Sequence, residues 1–188
     1  MTPFTTLDGA SVLLDRANVD TDQIIPARFL RKPRAAGYDT FLFADLRTRE
    51  NGFPVRPHGA AVVVAGENFG CGSSREGAVY ALVDGGVRCV IAPSFGDIFA
   101  GNAAKNGLLT IVLADAAALL GDAGRLVVDL PAQTIALPDG RVIGFEIDAF
   151  RKRCLVEGLD DIGLTLVHEA ALAAHEAGLP GWSSPAIG

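Results

Sequence analysis

This sequence predicts an α/β fold with a mostly parallel core sheet, on three observations. Apolar, β-branched runs alternate with helix-like stretches between residues 60 and 113. The first of these runs enters a glycine-rich turn that opens a helix. Beyond them the chain changes to short strands and turns before ending in helices. A βαβαβ alternation of this kind predicts parallel strands joined by helical crossovers.

Taken in order, Val12-Leu13-Leu14 stops at Asp15 and predicts a short strand over 10–15. Residues 18–30 form a turn-rich motif ending in Ile24-Ile25-Pro26. Residues 31–58, punctuated by Pro33, Gly37, Gly52, Pro54 and Pro57, read as a mobile loop with one short helical piece near 40–46. Loops of this length in compact domains are often functional. A strand over 60–65 leads through the glycine turn to a helix over 74–84, which Gly85-Gly86 ends. A strand over 87–92, a helix over 96–106 closed by Asn106-Gly107, a strand over 108–113 and a helix over 114–120 follow. Strands are expected over 125–130, 134–137 and 142–147, with Pro138-Asp139-Gly140 as a hairpin signal. Helices are expected over 149–156 and 160–177. In the second, Ile162, Leu164, Leu166, Val167, Ala170, Ala171 and Ala174 give a partly helical apolar face suited to packing. Gly178-Leu179-Pro180-Gly181-Trp182 is expected to fray. With no internal repeat and no linker, residues 1–188 read as one domain.

At 188 residues the chain can bury a substantial core. Its 49% hydrophobic and 20% charged residues fit a soluble globular protein. No apolar stretch is long enough to span a bilayer. Met1-Thr2-Pro3-Phe4-Thr5-Thr6 has neither the basic flank nor the apolar centre of a secretory signal, so a cytoplasmic protein is expected. A net charge of −6 argues against nucleic-acid binding. Between Arg28 and Arg56, however, seven basic residues stand against three acidic ones. That excess is either a solvated loop face or a surface that meets an anionic substrate or an acidic partner.

Three cysteines stand at positions 71, 89 and 154, with no Cys-x-x-Cys pair and no histidine nearby. A metal or iron–sulfur site built from this chain alone is therefore not expected. Cys89 reads as a buried strand residue, and Cys154 as lying in or near a helix. Cys71 is either a small residue that fits the glycine turn or a nucleophile. The lack of a local histidine to activate it favours the first. His58, His168 and His175 lack catalytic neighbours and read as surface or loop residues.

The richest segment is Gly66-Glu67-Asn68-Phe69-Gly70-Cys71-Gly72-Ser73-Ser74-Arg75-Glu76. Its glycines allow positive φ or close approach to a ligand. Ser73 followed three residues later by Glu76 matches a capping box. The unpaired N–H groups of a first helical turn attract anions, and two hydroxyls and a guanidinium stand at that point. Such a place can hold a small carboxylate or phosphate and support proton chemistry on it. Ser73 is otherwise only a helix cap, and Arg75 only a first-turn residue. Asp20-Thr21-Asp22 is either an Asx-type turn that fixes a loop or part of an active-site rim. Asp97 is placed to cap the helix after Ser94-Phe95-Gly96. Lys105 and Asn106 suit packing and helix-dipole roles better than catalysis.

Gly70-Cys71-Gly72-Ser73-Ser74-Arg75-Glu76 resembles the Gly-Ser-Ser-Arg-Glu signature of the aconitase superfamily's mobile domain. Asn18-Val19-Asp20-Thr21-Asp22-Gln23-Ile24-Ile25-Pro26-Ala27-Arg28-Phe29-Leu30 resembles the first motif of 3-isopropylmalate dehydratase small subunits. Ala92-Pro93-Ser94-Phe95-Gly96-Asp97-Ile98-Phe99, with Asn102 and Lys105-Asn106-Gly107-Leu108-Leu109, resembles their third block. All three lie in family order between residues 18 and 109.

The resemblance implies a swivelling β/β/α three-layer domain. It implies the small subunit of a hydro-lyase that interconverts 2- and 3-isopropylmalate in leucine biosynthesis. Ser73 would be the catalytic base, Ser74, Arg75 and Gly72 would bind the substrate carboxylate, and Asp20, Thr21 and Asp22 would stand at the rim. No cofactor is implied for this chain. A 4Fe-4S cluster is implied in a separate large subunit, the partner that completes the site. The loop after Ile24-Ile25-Pro26, about 29–58, would help select the substrate, with Leu30, Tyr38, Phe41, Leu42 and Phe43 as an apolar wall. One departure stands out: the family continues Ser-Arg-Glu with His-Ala-Pro-Trp or similar, and this chain has Gly77-Ala78-Val79-Tyr80. A related dicarboxylate of the citraconate or citramalate type is therefore an alternative substrate. A non-catalytic anion-binding module is another reading of the chain.

Overall fold

Strand β1 (Thr6–Leu14) belongs to two layers at once. Its first half, Thr6 to Ala10, pairs antiparallel with β5 (Arg125–Asp129), and its second half, Ser11 to Leu14, pairs parallel with β2 (Val62–Ala65). The computed structural model describes residues 1–121 and 123–178.

Before β2 come α1 (Thr21–Ile24), α2 (Tyr38–Phe41) and α3 (Ala44–Arg49). Helix α4 (Glu76–Asp84) leads from β2 to β3 (Cys89–Ala92), and α5 (Asp97–Lys105) leads to β4 (Leu109–Val112). Helix α6 (Ala116–Leu120) precedes β5; β6 (Thr134–Ala136) and β7 (Val142–Gly144) form a hairpin, followed by α7 (Ala149–Glu157), α8 (Asp161–Leu166) and α9 (Glu169–Ala177). The strand order is β4-β3-β2-β1-β5-β6-β7, parallel from β4 to β1 and antiparallel beyond.

The two central parallel strands, β2 and β3, are apolar and buried on both faces, as strands covered on both sides require. Val63, Ala65, Val90 and Ala92 join one core with Val79 and Leu82 of α4 and Phe99 of α5. The alternate residues Val62, Val64, Cys89 and Ile91 join the other with Leu126, Val128 and Ile135 of the antiparallel strands and Leu155 of α7. The period of two thus sorts one strand set between a helical layer and a second β layer, giving the β/β/α arrangement. Burial of each large aliphatic is worth about 1.5–3 kcal/mol over exposure, so these two cores hold the sheet in place.

Several expectations need correction. Segment 31–58 contains two helices and a short 3-10 turn rather than one helical piece, and Leu42 and Phe43 are fully buried in the core with Tyr38 nearly so. Leu42 and Phe43 are therefore not available as an apolar wall. The helix expected over 160–177 breaks at Val167 and His168 into α8 and α9. Much of its apolar face stays open: Leu164 is half-buried, but Ile162, Leu166 and Val167 are 71%, 56% and 54% exposed. Periodicity reports amphipathicity, and nothing in the described residues covers this face. The frayed end expected over 178–182 lies outside the described residues apart from Gly178.

Candidate active site

The glycine turn follows β2 at its carboxyl end, the end where ligands bind in open α/β sheets. Backbone hydrogen bonds stitch it to both other motifs. Asn18 N donates to Glu67 O at 2.9 Å, Gly70 N to Val19 O at 2.7 Å and Thr21 N to Cys71 O at 3.0 Å. On the other side Phe69 N donates to Ser94 O at 3.1 Å, Gly96 N to Phe69 O at 2.9 Å, and Asn68 N to Ser94 Oγ at 2.8 Å. Phe69 makes edge-on contacts with both Phe95 and Phe99 beneath the turn. Gly70 has φ +75°, and a Cβ there would overlap the Phe99 ring. Glycine thus serves two requirements at once, backbone conformation and close approach.

The capping box expected at Ser73 and Glu76 does not form. Arg75 is the N-cap of α4, with φ −104° and ψ 102°, and no side chain caps this helix. Ser73 Oγ lies instead 3.3 Å from Thr21 Oγ1, while Thr21 Oγ1 donates to Ser73 O at 3.1 Å. The capping box in this region belongs to Asp20. Its Oδ1 accepts from Gln23 N at 2.7 Å, and Gln23 Oε1 accepts from Asp20 N at 3.1 Å. The spacing Asp-x-x-Gln was visible in the sequence and is the same signature. Asp97 is likewise not a cap: Gly96 occupies that position and Asp97 is the first residue of α5.

The structure brings Asp20, Thr21, Asp22, Gly72, Ser73 and Arg75 together. Gly72, Ser73 and Ser74 are exposed, Arg75 is half-buried, and Arg75 Nη1 donates to the Asp22 carboxylate. Asp22 thus already engages one prong of the guanidinium fork. Glu76 accepts from Asn106 Nδ2 at 2.8 Å, a link from the second motif to the third that the sequence reading did not foresee. Burial and the neighbouring Glu76 push the Tyr80 phenol up, and the Arg34 guanidinium stacks on the Tyr80 ring at 4.3 Å. Within 28–56 Arg28 pairs with Asp45, and Asp84 from outside the segment offsets part of the basic excess by pairing with Arg34.

A cleft lined by Phe95, Thr110, Glu146 and Arg151 adjoins the third motif, but Ser73 and Arg75 do not line it. The two hydroxyls stand on an open surface. Cys71 lies in the turn, Cys89 in β3 and Cys154 in α7; among the described residues no group of three or more His, Cys, Asp and Glu is placed to hold a metal ion. No helix among the described residues is long and apolar enough to cross a membrane. Chemically, the arrangement offers an exposed hydroxyl held by a buried one, a guanidinium fork and the amides at the start of α4, which together suit a carboxylate and a proton acceptor.

The family model for the aconitase C-terminal domain matches residues 1–116, and a second model, described as LeuD_N, matches residues 116–149. A 3-isopropylmalate dehydratase small subunit from Xanthobacter autotrophicus is 50% identical over 94% of this chain and 95% of its own length. One from Saccharophagus degradans is 46% identical over 94% of each. The crystal structure of a 3-isopropylmalate dehydratase from Methanocaldococcus jannaschii superposes with a TM-score of 0.71 at 31% identity, covering 92% of this chain and 99% of that one.

Proposed function

This chain belongs to the family of 3-isopropylmalate dehydratase small subunits, and from that premise we propose how its own residues serve the interconversion of 2- and 3-isopropylmalate in leucine biosynthesis. The observation that carries the reading is exposed Ser73 at the carboxyl end of the parallel sheet, its hydroxyl 3.3 Å from Thr21 Oγ1 and its carbonyl held by Thr21 Oγ1 and Arg75 N.

Dehydration removes a proton from carbon beside a carboxylate and expels hydroxide from the neighbouring carbon. Ser73, deprotonated, takes that proton on Oγ. The C–H electron pair becomes the new C=C bond, and the C–O pair leaves with the oxygen. Negative charge builds on the substrate carboxylate as the C–H bond breaks. Arg75 meets it with the guanidinium N–H groups that Asp22 leaves free, and Ser74, Gly72 and the first-turn amides of α4 complete the cradle. Asp22 orients Arg75. A 4Fe-4S cluster in the large subunit would supply the Lewis acid for the leaving oxygen. The active enzyme is then a complex with that large subunit, in the cytoplasm, and the open face of the turn is the half-site this chain contributes.

The segment 29–58 contributes to substrate choice through Leu30 and Phe41, which remain partly exposed. A specific contact favours keeping a second substrate in view. Gly77 stands where the family carries histidine, and Leu30 fills the space beside it. A smaller methyl-substituted dicarboxylate, of the citramalate type, would suit a site reshaped there. An anaerobic assay of this chain with its cognate large subunit separates the readings. Dehydration of 3-isopropylmalate well above citramalate and citrate, absent for either chain alone, supports the first. A preference for citramalate moves the protein to a related pathway with the same mechanism. Full turnover in Ser73→Ala would remove the base and leave the motif as a non-catalytic anion-binding module.

A further inference from the structure

The Thr21 side chain is buried, 2% exposed. Nothing in its own helix requires a hydroxyl there, because Asp20 and Gln23 already cap α1. A buried hydroxyl without a partner is costly, and Thr21 spends its hydrogen bonds across the fold, on Ser73. Its Oγ1 lies 3.1 Å from Ser73 O and 3.3 Å from Ser73 Oγ. A threonine hydroxyl has one proton and two lone pairs. When that proton goes to Ser73 O, Thr21 Oγ1 is left as an acceptor, and the Ser73 hydroxyl donates to it.

We propose that Thr21 is a positioning residue that holds Ser73 in both protonation states by reversing one hydrogen bond. In the resting protein Ser73 Oγ–H donates to Thr21, which fixes the Ser73 rotamer. Once Ser73 is ionised it has no proton to donate and becomes the stronger acceptor. The Thr21 hydroxyl then rotates about its C–O bond and donates to Ser73 Oγ instead. Ser73 O is not stranded by the exchange, because Arg75 N also donates to it, at 2.8 Å. No heavy atom moves, so the donor is in place before charge develops. Rotation of the Thr21 hydroxyl is the only change needed.

The inference rests on Ser73 being the base and is tested alongside it. In the complex with the large subunit, turnover of 3-isopropylmalate is measured for Thr21→Val, Thr21→Ser and Ser73→Ala across pH. Thr21→Val removes the hydroxyl at equal volume. Its kcat is expected to fall roughly 10- to 100-fold, the size of one hydrogen bond to a charged group, with KM within about twofold, a split that marks an interaction made in the reaction rather than in binding. The rising limb of its pH–rate profile should move to higher pH, since the ionised serine has lost a donor. Thr21→Ser should keep the wild-type profile and most of the rate. A purely structural role would lower the yield of complex without moving the pH profile. If Thr21→Val does not assemble, Thr21→Ala gives the same readings without a branched side chain to place. An inactive Ser73→Ala beside a wild-type rate and profile in Thr21→Val overturns the inference alone. A fully active Ser73→Ala overturns the assignment of the base beneath it.

Discussion

Leu30 lies against Gly77 so closely that a Cβ at residue 77 would come within 2.5 Å of Leu30 Cδ2. The glycine that weakens the start of α4 is therefore occupied space, claimed by a side chain from the segment that precedes it. Alanine is worth up to about 1 kcal/mol over glycine inside a helix, but here it must push Leu30 aside. Gly77→Ala is expected to gain less stability in the native background than in a Leu30→Ala background. A double-mutant cycle from chemical denaturation checks this; equal gains in both backgrounds would mean the contact carries no energy.

Gly70→Ala meets two obstacles, the left-handed backbone at φ +75° and the Phe99 ring. Left-handed strain of about 1–2 kcal/mol and overpacking of about 1–3 kcal/mol give a loss near 3 kcal/mol. For a chain of this size that lowers Tm by roughly 6–12 °C, readable by calorimetry.

Asp20→Ala removes the α1 cap, at a cost of about 1 kcal/mol. Because α1 carries Thr21 and Asp22, activity of the assembled enzyme should fall together with stability. Asp20→Asn keeps an acceptor for Gln23 N and should retain both. Equal losses in the alanine and asparagine variants would point to the charge instead.

Acid should loosen the start of α8 before it loosens the core. The Asp160 carboxyl is held below the usual carboxylate range, first by the Gly163 N–H and then by the N-terminal ammonium. Its folded pKa is depressed, so its stabilisation is complete above the unfolded value of about 4 and is lost as pH falls through the folded value. Amide exchange at Gly163, compared at pH 5 and pH 3 after correction for intrinsic rates, should show lower protection at the lower pH. Asp160→Ala should show low protection at both.

The thiols should react in a definite order. Burial pushes Cys89 and Cys154 up, and both are shielded, whereas Cys71 is half-exposed in the turn. Iodoacetamide under native conditions should modify Cys71 first, with Cys89 modified only on unfolding. Mass spectrometry of the digested protein reads the order.

The parallel core was legible because Val62-Val63-Val64 and Cys89-Val90-Ile91 are apolar without interruption and are bounded by glycine turns. The three motifs singled out in the sequence stand together in the fold, joined by backbone bonds and by Asn106 to Glu76. The capping was not. One spacing rule fits both Asp20…Gln23 and Ser73…Glu76, and only the first makes the box. The contact that decides the second is Thr21 to Ser73, across 52 positions, and local pattern carries no information about it. Residues 31–58 differ from a mobile loop for a related reason. Prolines and glycines mark turns correctly, but Leu42, Phe43, Phe53 and Val55 between them are core residues whose burial follows from tertiary packing.

The turn that bears Ser73 and Arg75 is braced by Val19 and Thr21 from before it and by Ser94 and Gly96 from after it. On the ribosome these supports emerge at different times. The serine and arginine leave the exit tunnel after Val19 and Thr21 have emerged and while Ser94 and Gly96 are still inside it. Until the strand that ends at Ala92 has added itself beside β2 and delivered Gly96 to Phe69, the nascent chain carries the complete motif in unformed backbone. A fragment cut short of residue 96 would spell the motif and lack its shape.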